Sequence, residues 1–135
     1  MGSSVMSSRD LKDLHPDIRE KAEKFLHICS KMGIDLLITC TYRSNSEQAD
    51  LYAKGRTAPG KIVTYALPGE SNHNFVDAAG KPAAKAFDVV PLVAGKPVWN
   101  ASDPVWKVIG GIGTSLGLKW AGEWKRFKEY PHFEI

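Results

Sequence analysis

Ala86-Phe87-Asp88-Val89-Val90-Pro91-Leu92-Val93 is the stretch on which the fold turns. Its aromatic and β-branched residues predict a strand, followed by a Gly95-Lys96-Pro97 turn into Val98-Trp99. Asp88 interrupts the apolar run, and an unpaired carboxylate is costly to bury. Either Asp88 faces solvent on an edge strand, or a cation partners it.

Upstream, Ile34 to Tyr42 is rich in β-branched and aromatic residues and predicts a mostly buried strand. Before it, Ile18, Ala22, Phe25, Leu26 and Cys29 recur at helical spacing, which predicts a helix over Asp17 to Met32, opened by Pro16 and stopped by Gly33. Ser44 and Glu47 form a capping-box pattern for a short helix to Lys54, ended by Gly55. Arg56 to Glu70 carries two Pro-Gly pairs and predicts a loop, with a brief strand at Ile62-Val63-Thr64. Downstream, Ser102-Asp103-Pro104 opens a helix ending near Gly117, and Leu118–Ala121 and His132–Ile135 predict two closing strands. Helices against a small, largely antiparallel sheet make an α+β domain.

The chain has 135 residues, enough for one domain with one core. With 43% apolar and 24% charged residues it has the composition of a soluble globular protein, and no segment reaches the roughly 20 apolar residues of a membrane span. Met1 to Val5 reads as an added leader with Met6 as the natural start, residues 1–8 as flexible, and the N-terminus as lacking a secretory signal. Cys29 and Cys40 lie outside any metal-type spacing and are expected to be structural. The net charge of +3, concentrated at Lys119, Lys125, Arg126 and Lys128, is either a solvated face or an attraction to a polyanion. No recognition motif supports nucleic acid as that polyanion, and a monomer is expected.

Of four histidines, His15 and His27 belong to the first helix or its entry and are expected to be structural. His73 follows a Pro-Gly turn within Ser71-Asn72-His73-Asn74, and Glu129 precedes His132 by three residues across Pro131. A histidine, a strand carboxylate and a second histidine form a normal catalytic zinc set, which leaves one position for water and calls for a separate carboxylate base.

These residues, with Leu14-His15-Pro16, Thr41-Tyr42-Arg43-Ser44, Glu47-Gln48, Leu51-Tyr52, Gly55-Arg56-Thr57, Gly122-Glu123-Trp124 and Pro131-His132-Phe133-Glu134, resemble the zinc D-Ala-D-Ala carboxypeptidase and L-alanyl-D-glutamate endopeptidase family. That family shares its fold with the Hedgehog signalling domain, and within it the chain is most similar to phage endolysins of the L-alanyl-D-glutamate type. The resemblance implies that His73, Asp88 and His132 bind Zn2+, that Glu129 is the catalytic base, and that Arg43 stabilises charge on the substrate carbonyl. It implies bacterial peptidoglycan as substrate, with release from the host cytoplasm through a holin pore. The alternatives are a D,D-carboxypeptidase or dipeptidase, and a non-catalytic zinc-stabilised module. Ser71 is a candidate to orient the site, and Trp120 and Trp124 to line a groove or fill the core. One departure is the fourteen residues between His73 and Asp88, where the family usually has far fewer. The surplus, Phe75 to Lys85, reads as an inserted turn or hairpin; it contains Asp77, the rival to Asp88, while Glu123 is the rival to Glu129.

Overall fold

The computed structural model describes residues 6–135; the expectation about Met1 to Val5 lies outside them. The elements run α1 (Pro16–Lys31), β1 (Asp35–Cys40), α2 (Asn45–Ala53), β2 (Ala86–Val93), β3 (Lys96–Pro97), α3 (Val105–Ser115), β4 (Lys119–Trp120) and β5 (His132–Glu134). The strands form one antiparallel sheet in the order β1-β2-β5-β4, with β3 folded back on the end of β2. This is the α+β architecture read from the sequence.

The predicted bounds of β2 are the observed ones, because it is the strand paired on both sides. β1 was expected to be mostly buried and is not. It lies at the sheet edge, with Asp35 and Leu37 exposed and the rest of the strand half-buried. The expected strand at Ile62-Val63-Thr64 is absent, for those residues are exposed or half-buried and pair with no strand. The turn after β2 is centred on Ala94 and Gly95, both at positive φ, which leaves Lys96 and Pro97 to pair with Val93 and Leu92.

Local chemistry accounts for the helix ends. His15, expected to be structural, caps α1 by accepting from the Asp17 N–H at 3.0 Å. Ser44 accepts from the Glu47 N–H and caps α2, while the Glu47 carboxylate faces Arg43 at 3.9 Å, so only half of the capping box forms. The expected flexibility of residues 1–8 does not extend to Ser7 and Ser8. Ser8 exchanges backbone hydrogen bonds with Thr41 and Tyr42 at 2.8 Å, and Ser7 Oγ accepts from the Ser44 N–H.

α1 and α3 pack on one face of the sheet, around Phe25, Phe87, Trp106, Ile109 and Phe133, all 1% exposed or less. The rings of Phe25 and Phe133 lie 4.8 Å apart, and Phe87 stacks on Phe133 at 5.8 Å. Trp120, a candidate groove residue, belongs to this core. Its indole donates to the Tyr130 carbonyl at 2.8 Å and sits where a Cβ on Gly110 or Gly122 would overlap it. No helix among the described residues is long and apolar enough to cross a membrane.

The glycines of α3 predict opposite responses to the same change. Gly110→Ala should destabilise the fold by roughly 1–3 kcal/mol through overlap with Trp120. Gly111→Ala, with nothing within 4 Å of the new methyl, should stabilise it by up to about 1 kcal/mol. Thermal unfolding of the two variants checks this, and equal shifts would contradict the packing described.

Candidate functional site

The face of the sheet opposite the helices carries the site. Asp88 of β2 is directly paired with His132 of β5, so their side chains leave the sheet on the same face. Their neighbours Phe87 and Phe133 point the other way, into the core.

His73 is brought to this pair by a 3-10 turn, Asn72–Asn74. Ser71 caps the turn by accepting from the His73 N–H at 3.1 Å, and Asn74 Oδ1 accepts from the Ser71 and Gly69 N–H groups at 3.1 Å. The turn is then fastened to the chain beyond β1. The Arg43 N–H donates to the His73 carbonyl at 2.8 Å, and Asn74 Nδ2 donates to the Arg43 carbonyl at 2.9 Å. Ser71 therefore orients the backbone that carries His73.

Three side-chain atoms converge. His73 Nε2 lies 3.2 Å from Asp88 Oδ1 and 3.2 Å from His132 Nδ1, and His132 Nδ1 lies 3.1 Å from Asp88 Oδ1. The other nitrogen of each imidazole is engaged: His73 Nδ1 donates to the Thr41 carbonyl at 2.8 Å, and His132 Nε2 donates to Glu134 Oε1 at 2.7 Å. In neutral rings this turns two nitrogen lone pairs and a carboxylate oxygen toward one point, an arrangement that requires a cation. Tetrahedral coordination at metal–ligand distances of about 2.0–2.1 Å separates the ligand atoms by roughly 3.3 Å, close to the spacing here. The residues fit a divalent metal.

The electrostatics agree. Burial works against charge on His73, but the Asp88 carboxylate outweighs it and raises the imidazole to about 10. Burial would raise Asp88, yet the two imidazoles hold its carboxyl far below the ordinary range. His132 is raised against its burial by hydrogen bonds to Asp88 and Glu134, and burial is likewise overcome at Glu134, which His132 lowers. The buried Asp88 carboxylate thus favours positive charge on the groups that face it.

Cys40 adjoins this centre, a placement the sequence reading missed. It is paired with Asp88 on the side opposite His132, and its Sγ, His73 and Asp88 offer donor atoms within 4.8 Å of one another. The thiol lies 3.7 Å from His73 Nδ1, the nitrogen already bonded to Thr41, and so approaches the edge of the ring away from His132. Geometry therefore favours His132 as the third ligand.

The rivals separate cleanly in space. Asp77 Oδ1 accepts from the Ala79 and Lys81 N–H groups at 2.8 and 3.0 Å, within the exposed hairpin of the inserted segment. Glu129 Oε2 lies 3.9 Å from His132 Nδ1, and burial raises its carboxyl. Glu123 is exposed and lines a different cavity with Lys107 and Tyr130. Arg43 reaches Asp88 Oδ2 at 3.5 Å and the fully buried Gln48 Oε1 at 3.1 Å, while its buried Nε has no hydrogen-bond partner among the described residues. Gln48, also missed, ties Arg43 to the loop beyond α2 by donating to the Ala66 carbonyl at 2.8 Å. Trp124 borders the centre, its ring 5.5 Å from that of His132. His73, His132, Glu129, Arg43 and Trp124 line one cavity of about 460 Å³.

Two family models, both described as D-alanyl-D-alanine carboxypeptidase, match the chain, one over residues 11–81 and the other over residues 67–135. The chain is 39% identical over 133 aligned positions to the peptidoglycan L-alanyl-D-glutamate endopeptidase CwlK of Bacillus subtilis (strain 168), covering 91% of this chain and 74% of that protein. Its fold is similar to the crystal structure of the Serratia marcescens L-Ala D-Glu endopeptidase ChiX, with a TM-score of 0.66, 21% identity, and coverage of 98% of this chain and 88% of that one.

The donor set predicts how a metal binds. Removing His132 with His132→Ala should abolish tight binding of zinc in calorimetric titration. Cys40→Ser should leave the affinity within about threefold, and Glu134→Gln should lower it roughly 10–100-fold by freeing His132. Because the metal displaces the proton that His73 holds to about 10, binding should release protons and weaken progressively as pH falls below about 10. Titrations in buffers of different ionisation enthalpy count the protons, and no release would contradict the paired centre.

Proposed function

The chain belongs to the D-alanyl-D-alanine carboxypeptidase family, a family of peptidases, and from that premise we propose that it is a zinc endopeptidase cutting the L-alanyl-D-glutamate bond of bacterial peptidoglycan. The observation that carries this reading is the convergence of His73 Nε2, Asp88 Oδ1 and His132 Nδ1 beside Glu129 on the wall of a cavity.

His73, Asp88 and His132 would hold the metal. Zinc, when bound, supplies Lewis acidity that polarises the scissile carbonyl and brings the attacking water from a pKa of about 15.7 towards roughly 7. Glu129 Oε2, close to the donor triangle, receives the proton of that water and returns it to the leaving nitrogen. The raised carboxyl of Glu129 makes it a better proton acceptor than an exposed glutamate. Arg43 lines the same cavity with its guanidinium 3.5 Å from Asp88 Oδ2, and it supplies positive charge for the charge developing on the carbonyl oxygen. Thr41 and Glu134 keep the two imidazoles in the tautomers that expose the metal-facing nitrogens.

The descriptions of both family models favour a second reading, removal of the terminal D-alanine from D-Ala-D-Ala ends, by the same residues. Digestion of purified peptidoglycan, followed by mass spectrometry of the new termini, separates the two: new amino-terminal D-glutamate supports the endopeptidase, and free D-alanine the carboxypeptidase. A chelator should stop either reaction and zinc restore it, and chelator-insensitive cleavage would sink the metallopeptidase reading. Glu129→Gln should lower kcat at least about 100-fold with zinc affinity kept, whereas His73→Ala should lose both.

A further inference from the structure

Two arginines line the cavity, and they differ in their commitments. Arg43 is engaged by Gln48, Asp88 and Glu47. Arg126 makes no hydrogen bond or ion pair among the described residues. The carboxylates of the same cavity are occupied elsewhere: Glu134 by His132 at 2.7 Å, Glu70 by the Leu67 N–H at 2.8 Å, and Glu129 beside the donor triangle. The guanidinium of Arg126 is therefore left for an anion that arrives with a ligand.

Its position is defined. The next residue, Phe127, holds a left-handed backbone with φ of 48°, a conformation that is strained for a non-glycine residue. The Phe127 ring meets Tyr65 edge to face at 5.1 Å, and Tyr65 belongs to the cavity wall formed by the loop beyond α2. That aromatic contact offsets the backbone strain and joins the two walls, so Arg126 sits on a braced turn. Lys125 and Lys128 flank it and add positive potential.

The substrate read above carries a matching charge. A glutamyl residue has two carboxyl groups, and a peptide can continue through only one. The other stays free, on the residue whose nitrogen leaves when the alanyl–glutamyl bond is cut. We propose that Arg126 binds this free glutamyl carboxylate and so makes the enzyme prefer wall peptides whose glutamate is unamidated. A guanidinium engages a carboxylate through two parallel N–H donors, whereas a carboxamide offers one acceptor and no charge. This proposal rests on the endopeptidase reading.

The test uses the zinc-loaded protein and two synthetic stem peptides that differ only at that group, one with the free carboxylate and one with the carboxamide. Wild type should cleave the carboxylate peptide with about tenfold higher kcat/KM, the difference lying in KM and shrinking with added salt. Arg126→Gln should bring the ratio close to one, and Arg126→Lys should keep part of it. Calorimetric binding to the Glu129→Gln protein, where turnover is suppressed, should show the same preference in Kd, and adding Arg126→Gln should erase it. Cleavage of both peptides by Arg126→Gln with the wild-type ratio intact would overturn the carboxylate subsite alone. Release of D-alanine with neither peptide cut at the glutamyl bond would overturn the endopeptidase reading and this subsite with it.

Discussion

The antiparallel pairing of Asp88 with His132 is the constraint on which the rest of the structure depends. Side chains directly opposed on neighbouring strands share a face, and successive residues alternate. One register therefore does two things: it brings Asp88 and His132 together, and it buries Phe87 and Phe133 against Phe25 on the other side. A slip of one residue would put a carboxylate and an imidazole into the aromatic core and two phenylalanines into the cavity. The core and the site enforce the same alignment, so the hydrophobic energy of folding holds two candidate ligand atoms side by side.

The remaining candidate ligand, His73, lies outside the sheet and is delivered by a loop. Its accuracy rests on neighbours at both ends of the imidazole. Thr41, which accepts from His73 Nδ1, follows an irregularity in β1 between Ile38 and Cys40, and its own N–H and hydroxyl are held by Ser8 and Asp10. The N-terminal segment, β1 and the Ser71–Asn74 turn thus form one chain of hydrogen bonds ending at a single nitrogen lone pair. This also explains why Cys40 can adjoin the centre without facing it: the bonded edge of the His73 ring is the one it meets.

What could be read from the sequence depended on whether a signal is local. β2 declares itself by a continuous apolar run, and α1 by helical spacing with Pro16 at its start. The exposure of β1 depends on its place at the sheet edge, which no local pattern states. Trp120 and Trp124 look alike in sequence, and only packing against Gly110 and Gly122 sends the first into the core. Glu134 was a missed signal, since it follows His132 by two residues and strand alternation places both on one face. Gln48 was hidden differently, because a buried amide joining Arg43 to the Thr64–Ala66 loop exists only once both have folded.

His73 and Asp88 are far apart in sequence yet meet at 3.2 Å, which shows why spacing in sequence is a weak guide to spacing in space. The surplus closes on itself before the chain re-enters the sheet. Val76 bridges to Pro82, the Ala83 N–H donates to the Phe75 carbonyl at 2.9 Å, and the Lys85 N–H donates to the Asn72 carbonyl at 2.8 Å. Phe75 and Ala83 are therefore neighbours across the base of a hairpin whose tip is tied by Asp77. The path from His73 to Asp88 is as short as if the hairpin were absent, since the chain leaves and returns at adjacent points. Loop-closure entropy grows only slowly with length, so such an insertion is tolerated where its ends are already fixed. Here they are fixed by Asn72 and by Ala84, which donates to the Asp13 carbonyl and accepts from the His15 N–H, so the geometry of the site is set beneath the hairpin.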